Sequence, residues 1–81
     1  MDTPKEKAQR GLALIKEAIA EFVAQHKDGV AHSMIVHHLG LESDFEGAQQ
    51  NYLSWSVFGL LVNEQRIRYV GRGRSKRYFS A

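Results

Sequence analysis

The chain has 81 residues, of which 43% are hydrophobic and 25% are charged, and its formal net charge is +2. These values indicate a single domain with one thin core, which excludes a multidomain enzyme and argues against a deep catalytic pocket, so we predict no enzymatic activity. The absence of cysteine excludes disulfides and Cys-ligated zinc, and the apolar, uncharged run of residues 53–63 is too short to cross a bilayer. We therefore expect a cytoplasmic protein, nucleoid-associated if bacterial, with no membrane partner.

The first predicted element is a helix over about residues 4–26. Thr3 is the expected N-cap, Pro4 suits the first helical position, and Glu6 completes a capping box. A helical stripe of apolar residues follows. The stripe consists of Ala8, Leu12, Ile15, Ile19, Phe22 and Val23. The lysine, aspartate and glycine of residues 27–29 are typical of a helix end.

A short strand and a second helix are predicted next. Val30 and Ala31 are too few for an independent strand but can pair with a later hairpin. Ser33 is the expected N-cap of a helix over about residues 33–39, which Gly40 stops. The acidic connector of residues 41–47 contains one large apolar side chain, Phe45, which we expect to anchor it to the core.

Residues 48–64 predict a third helix that is apolar nearly all round. The spacing of Leu53, Val57, Leu60 and Leu61 defines the expected inward face. Steps of about 100° per residue put a second apolar set on the outer side. This outer set, here called the aromatic ridge, consists of Tyr52, Trp55, Phe58 and Val62. Either the helix packs on two sides, or the ridge contacts a protein partner or a second copy of the chain.

After residue 65 the pattern changes to alternation around a glycine-containing loop, which predicts a β-hairpin over about residues 66–80. Ile67 and Tyr69 are expected to face the core, with Arg66 and Arg68 facing solvent. A register shift of one residue would exchange the two faces, and we favour Tyr78 inward, opposite Tyr69.

The net charge conceals a strongly uneven distribution along the chain. Residues 1–65 carry five basic and all nine acidic side chains, a net charge of −4, whereas residues 66–81 carry six basic side chains and no acid. The six are Arg66, Arg68, Arg72, Arg74, Lys76 and Arg77. Such a run is either a solvated basic edge or a nucleic-acid interface, and its arginine content favours the interface.

The order of elements is helix, short strand, helix, turn, helix and a basic hairpin, and it resembles that of the winged helix-turn-helix family. The likeness is strongest over residues 60–69, where a leucine pair, a polar turn and an isoleucine-led strand follow one another. It implies an α+β fold over residues 1–81 as one domain, with three helices and a two- or three-stranded hairpin wing. It also implies binding of double-stranded DNA.

The same resemblance places the first half of helix 3 in the major groove of DNA. The polar residues expected to read base edges there are Gln49, Gln50, Asn51 and Ser54. An arginine of the wing tip, Arg72 or Arg74, can enter the minor groove or contact phosphates only. We expect a small transcription regulator or an accessory domain of a DNA-processing protein such as a helicase or nuclease. A protein-interaction or dimerisation module that uses the aromatic ridge, and an RNA-binding domain, are the alternatives.

The histidines and acidic residues predict no metal site or cofactor. His37 and His38 are adjacent on the predicted helix and therefore point about 100° apart, so a tetrahedral site would need ligands from elsewhere. We expect His32 and His37 to be exposed and His38 to be partly packed. The acidic residues of the connector lack the pattern of a calcium loop.

Overall fold

Three helices and an antiparallel hairpin form most of the described part of the chain. The computed structural model describes residues 3–42, 44–45, 48–49 and 52–81, without the side chains of residues 44, 45, 48, 49, 52 and 74. In chain order the elements are α1 (Pro4–Ala24), α2 (His32–Leu39), β1 (Asp44–Phe45), β2 (Ala48–Gln49), α3 (Tyr52–Asn63), β3 (Ile67–Val70) and β4 (Arg77–Ser80). The predicted α+β class, with three helices followed by a hairpin, is confirmed at this level.

Helix α1 begins with the predicted capping box. The Glu6 amide donates to the Thr3 hydroxyl at 3.2 Å, and the Thr3 amide donates to the Glu6 carboxylate at 3.4 Å. The helix ends at Ala24, slightly earlier than predicted, and it buries Ile19 and Val23 against the rest of the core. Local capping chemistry therefore sets the start of the helix, and its apolar stripe sets the face that packs.

Helix α2 starts at His32 with Ala31 as its N-cap, so the expectation that Ser33 caps it is wrong. Ser33 is instead an exposed residue of the first turn, and no side chain caps the helix. Gly40 ends the helix in the left-handed region, with φ 66°, as predicted. Before the helix, Val30 pairs with Tyr78 through reciprocal backbone bonds of 3.1 and 2.8 Å, so the expected strand pairing is confirmed.

The segment between α2 and α3 differs from the prediction. Ala48–Gln49 was expected to open helix 3, but it forms β2 and pairs with Asp44–Phe45 in β1. Helix α3 therefore begins at Tyr52 rather than residue 48. Alanine and glutamine favour helices locally, but pairing with a neighbouring extended segment overrides a propensity of only a few tenths of a kcal/mol. The anchoring role expected of Phe45 falls on a side chain outside the described residues.

Helix α3 packs on a face rotated from the expected one. Val57 and Leu61 are buried as predicted, but the exposed fractions of Leu53 and Leu60 are 48% and 39%. Their expected places are taken by Ser54 and Phe58, which are fully buried. Because the helix is apolar on several sides, the spacing of apolar residues could not identify which side packs.

The hairpin pairs β3 with β4 in the predicted register, with Tyr69 opposite Tyr78. Tyr78 and Ile67 are buried as expected, but Tyr69 is 46% exposed, so its predicted core position is wrong. Tyr69 does lie on the same face of the hairpin as Tyr78. The core covers this face at Tyr78 but does not fully cover it at Tyr69. The buried core cluster consists of Ile19, Val23, Val30, Ile35, Val57, Phe58, Leu61, Ile67 and Tyr78.

Candidate nucleic-acid interface

The hairpin has two sides that pack against different helices. The α3 side carries Tyr69 and Tyr78, and the Tyr78 ring meets the Phe58 ring edge-on at a centroid distance of 4.8 Å. Burial, with Tyr69 as a smaller cause, raises the pKa of Tyr78, so this phenol stays neutral in the core. The α1 side carries Arg68 and Phe79, which border a hollow beside the end of α1.

The basic groups on the α1 side have partners within the fold. The Arg68 guanidinium carbon lies 4.7 Å from the centroid of the Phe79 ring, a cation–π distance. The Arg77 guanidinium donates to the Gly29 carbonyl at 3.2 Å. Both cations are exposed at their ends but are oriented by these contacts.

On the α3 side one basic group, Lys76, lies beside an exposed aromatic ring. The Lys76 ammonium lies 4.6 Å from the centroid of the Tyr69 ring, and Lys76 itself is half-buried. Because Tyr69 is largely exposed, this pair stands at the surface and can be reached by a ligand.

A tight turn presents the hairpin tip. Gly73–Ser75 form one turn of 3-10 helix, and the Ser75 hydroxyl donates to the Arg72 carbonyl at 2.7 Å. The Arg72 amide donates back to the same hydroxyl at 3.3 Å. The backbone of Arg72 is thus held on both sides while its side chain is exposed.

Two adjoining cavities separate the α3 side of the hairpin from the helices, and together they are called the groove here. The larger has a volume of about 460 Å³ and is lined by Ala31, His32, Ser33, Trp55, Gly73 and Lys76. The smaller has a volume of about 230 Å³ and is lined by Trp55, Phe58, Gly59, Val62, Asn63, Tyr69, Lys76 and Tyr78. Trp55 and Lys76 border both cavities and therefore stand at the centre of the groove.

His32 fixes the position of Trp55. The imidazole and indole rings are stacked, with centroids 3.8 Å apart and planes within 10° of parallel. The His32 Nε2 is 3.0 Å from the Ser54 hydroxyl, and the ring edge meets Phe58. Burial lowers the pKa of His32, which favours a neutral ring at neutral pH. One face of the indole is covered in this way, yet 45% of Trp55 remains exposed.

The positive charge of the hairpin is not neutralised by the described carboxylates. Arg66, Arg68, Arg72 and Arg77 are exposed and Lys76 is half-buried, and none of them forms an ion pair within the described residues. The described ion pairs lie elsewhere, between Lys16 and Glu64 at 2.6 Å and between His37 and Glu42 at 3.6 Å. An anionic ligand would therefore meet an uncompensated positive field at the hairpin.

The structure separates the residues that the sequence grouped as base readers and as the aromatic ridge. Ser54 is fully buried against His32, so its prediction as an exposed base reader is wrong. Phe58 is a core residue, so its prediction as part of an outer ridge is also wrong. Trp55 is exposed as predicted, and Val62 is half-buried at the edge of the groove. Gln50, Asn51 and the side chains of Gln49, Tyr52 and Arg74 lie outside the described residues.

His32 and Tyr69 line the groove, but neither was predicted as part of a site. His32 was expected to be an exposed histidine, but it stacks on Trp55, a contact across 23 residues of chain that no periodicity reveals. Tyr69 was placed in the core, but it borders the groove with Lys76. The only sequence signal for Tyr69 was its position in an alternating strand beside a basic loop.

Features that would point to other functions are not found in the described residues. No group of three or more histidine, aspartate or glutamate side chains there is placed to hold a metal ion. Nor does any helix in the described ranges combine the length and apolarity needed to cross a membrane.

Comparison of the chain with protein-family models, curated proteins and solved structures gives no match. The winged-helix resemblance therefore remains a hypothesis based on element order and residue pattern.

Proposed function

We propose that this chain is a winged-helix domain that binds double-stranded DNA, with the hairpin as its wing. The observation that carries the proposal is the segregation of charge. Residues 66–81 hold six basic side chains and no acid, and the described members lack carboxylate partners. A duplex carries one negative charge per about 1.7 Å of its axis, so such a surface gains affinity by releasing condensed counterions.

The shape of the surface supports contact with a DNA backbone. The groove runs between α3 and the hairpin, with Lys76 on its hairpin wall and Arg72 at the exposed tip. Arg68 and Arg77 are engaged on the opposite side, by Phe79 and the Gly29 carbonyl. The four other cations of the segment, Arg66, Arg72, Arg74 and Lys76, are therefore the proposed phosphate contacts.

Base reading is assigned to the residues that precede α3. With Ser54 buried, Gln49, Gln50 and Asn51 remain as the proposed readers, because glutamine and asparagine can bond adenine edges in pairs. The corresponding biological role is that of a small cytoplasmic transcription regulator, or an accessory domain of a helicase or nuclease.

The salt dependence of duplex binding tests the proposal directly. If four cations contact phosphates, the logarithm of affinity falls against the logarithm of salt with a slope of about −3.6, roughly a hundredfold loss between 50 and 200 mM. The measurement is fluorescence anisotropy with a labelled mixed-sequence duplex. A slope near zero contradicts the proposal. Stronger binding to the matching RNA duplex would make RNA the ligand instead.

A matched pair of double variants locates the contact. Arg72→Glu with Arg74→Glu changes the net charge by the same amount as Lys5→Glu with Lys7→Glu, and Lys5 and Lys7 are exposed on α1. We expect the hairpin variant to lose more than tenfold in affinity and about 2 units of salt slope, because two phosphate contacts disappear. The α1 variant should retain the slope. Equal losses from both would show only a net-charge effect.

A protein-interaction function is the second candidate, and one observation favours it. Leu53 and Leu60 are exposed on α3, seven residues apart on the same side of the helix, and neither lines the groove. If this side docks a second copy of the chain, sedimentation equilibrium will show a dimer, and Leu53→Ser with Leu60→Ser will give a monomer with unchanged DNA affinity. A monomeric wild-type chain at high concentration excludes self-association through these leucines.

A further inference from the structure

The larger cavity of the groove has a size and an aromatic lining that phosphate binding alone does not require. Its walls come from three separate elements: His32 at the start of α2, Trp55 in α3, and Gly73 with Lys76 at the hairpin tip. A continuous duplex keeps its bases stacked inside and offers mainly sugars and phosphates to a surface outside its grooves. An aromatic-walled cavity of about 460 Å³ therefore has no role in binding the backbone of such a duplex.

The aromatic wall is suited to stacking. Trp55 is held in one orientation by the parallel His32 ring, and almost half of it is open to solvent. Leaving an indole exposed forfeits the burial that usually stabilises tryptophan in a small domain, whereas a nucleobase stacked on an aromatic side chain contributes about 1–3 kcal/mol. Because His32 is itself braced by Ser54 and Phe58, the stacking surface is preorganised.

The opposite wall supplies charge and access. Lys76 lines both cavities, with its ammonium beside the Tyr69 ring, where it can bond a phosphate that lies next to a stacked base. Gly73 has no side chain to obstruct the entrance, and an added Cβ there would meet nothing within 4 Å. The volume lies within the range of about 300–1,000 Å³ that encloses small organic ligands, and one nucleotide is of that size.

We propose that this cavity holds one unpaired nucleotide of a bound DNA strand, with its base stacked on Trp55 and a neighbouring phosphate bound by Lys76. The inference rests on the proposed function, because the rest of the strand lies on the basic hairpin. It makes the preferred ligand a duplex that ends in a single-stranded tail rather than a continuous duplex. The base is bound by its flat face, so the cavity selects an unpaired nucleotide over a paired one and has little sequence preference.

The emission of Trp55 tests this inference, because it is the only tryptophan of the chain. The probes are a blunt DNA duplex, the same duplex with a short thymidine tail, and the free thymidine strand. We expect the tail to raise affinity about tenfold over the blunt duplex and to quench the tryptophan emission, while the blunt duplex binds without quenching.

Substitutions at Trp55 separate stacking from folding. Trp55→Leu should remove the preference for the tailed duplex and leave the affinity for the blunt duplex unchanged. Trp55→Phe should keep part of the preference, because a smaller ring still stacks. Because Trp55 is substantially exposed, both variants are expected to fold, and circular dichroism with urea denaturation checks this.

The possible outcomes separate the two proposals. Equal affinity for blunt and tailed duplexes, with unchanged emission, overturns the nucleotide cavity and leaves duplex binding in place. If only the free strand binds and quenches the emission, the cavity is supported and the duplex proposal fails. Binding to none of the probes overturns both.

Discussion

The two sides of the hairpin carry nearly the same local chemistry in different surroundings. On the α1 side Arg68 lies 4.7 Å from the ring of Phe79, and on the α3 side Lys76 lies 4.6 Å from the ring of Tyr69. Phe79 is half-buried and packs so closely on Gly29 that a Cβ there would come within 2.6 Å of the ring. Tyr69, by contrast, is largely exposed and borders the groove.

The difference shows that a cation beside an aromatic ring does not by itself indicate a binding surface. Whether the cation is accessible depends on which part of the fold packs against that side of the hairpin. On the α1 side Gly29 has no side chain, so the Phe79 ring packs directly on it. Arg68 and Arg77 contact Phe79 and the Gly29 carbonyl and so orient the hairpin. On the α3 side the hairpin faces the groove and Trp55, so Lys76 remains accessible to a ligand.

The largest expected effect is on the closed side. Gly29→Ala adds a Cβ against the Phe79 ring at a residue with φ 87°, where L side chains are already strained. We expect a loss of about 2–4 kcal/mol in the free energy of unfolding, from backbone strain plus overpacking. Urea denaturation measures it. Gly40→Ala is the control, because Gly40 has φ 66° but an open surrounding, and it should lose only about 1–2 kcal/mol.

Equal losses at the two glycines would show that Phe79 moves aside without cost. The α1 side would then be as open as the α3 side, and the contrast between them would fail.

The second effect is on DNA affinity. Lys76→Glu and Arg68→Glu change the net charge equally, so any difference between them reports position rather than total charge. We expect Lys76→Glu to weaken duplex binding about tenfold or more and Arg68→Glu about twofold to threefold, because the proposed phosphate contacts include Lys76 and not Arg68. Anisotropy titrations at a fixed salt concentration measure both. A larger loss for Arg68→Glu would put the DNA on the α1 side.

The fold was predictable from the sequence wherever a short-range signal specifies it. The Thr3 and Glu6 capping box and the Gly40 stop each depend on a few neighbouring residues. Alternation predicted the hairpin but left its register open, and the favoured pairing of Tyr69 with Tyr78 is the one observed. The start of α3 was not predictable, because Ala48 and Gln49 pair with a neighbouring strand against their own propensity. The packed face of α3 was not predictable either, because apolar side chains surround the helix.

The site was predictable in its charge and not in its assembly. The basic segment follows from composition alone. The stacking of His32 on Trp55 joins residues far apart in the chain, and only tertiary packing brings them together. Alternation correctly assigned Tyr69 to the same side of the hairpin as Tyr78 but could not show that the core leaves Tyr69 partly exposed.

A smaller effect is expected from pH, through the histidine that braces the open side. Burial lowers the pKa of His32 in the folded state, so the unfolded chain takes up the proton first. Stability should therefore decrease as pH falls from about 6.5 through the folded-state pKa, and His32→Gln should reduce that decrease. Urea denaturation across this pH range measures it. His38→Gln, at an exposed residue outside the groove that forms no ion pair within the described residues, controls for loss of a histidine, and identical profiles for the two variants would contradict the prediction.

The smallest effect is the coupling within each cation–aromatic pair. Double-mutant cycles with Arg68→Met and Phe79→Leu, and with Lys76→Met and Tyr69→Leu, measure the two couplings by urea denaturation. We expect about 1 kcal/mol for the pair on the half-buried Phe79 ring and about 0.5 kcal/mol for the pair on the exposed Tyr69 ring, because solvent weakens an interaction with an exposed ring.

The coupling between Lys76 and Tyr69 also sets the free energy that is lost if Lys76 leaves the Tyr69 ring to bind DNA. If the ammonium leaves the Tyr69 ring to reach a phosphate, about 0.5 kcal/mol is lost, which is roughly twofold in affinity. Tyr69→Leu should then strengthen duplex binding by no more than about twofold. A loss of affinity on that substitution would instead show that Tyr69 itself contacts the DNA, and that the open side of the hairpin binds through its aromatic ring as well as its cation.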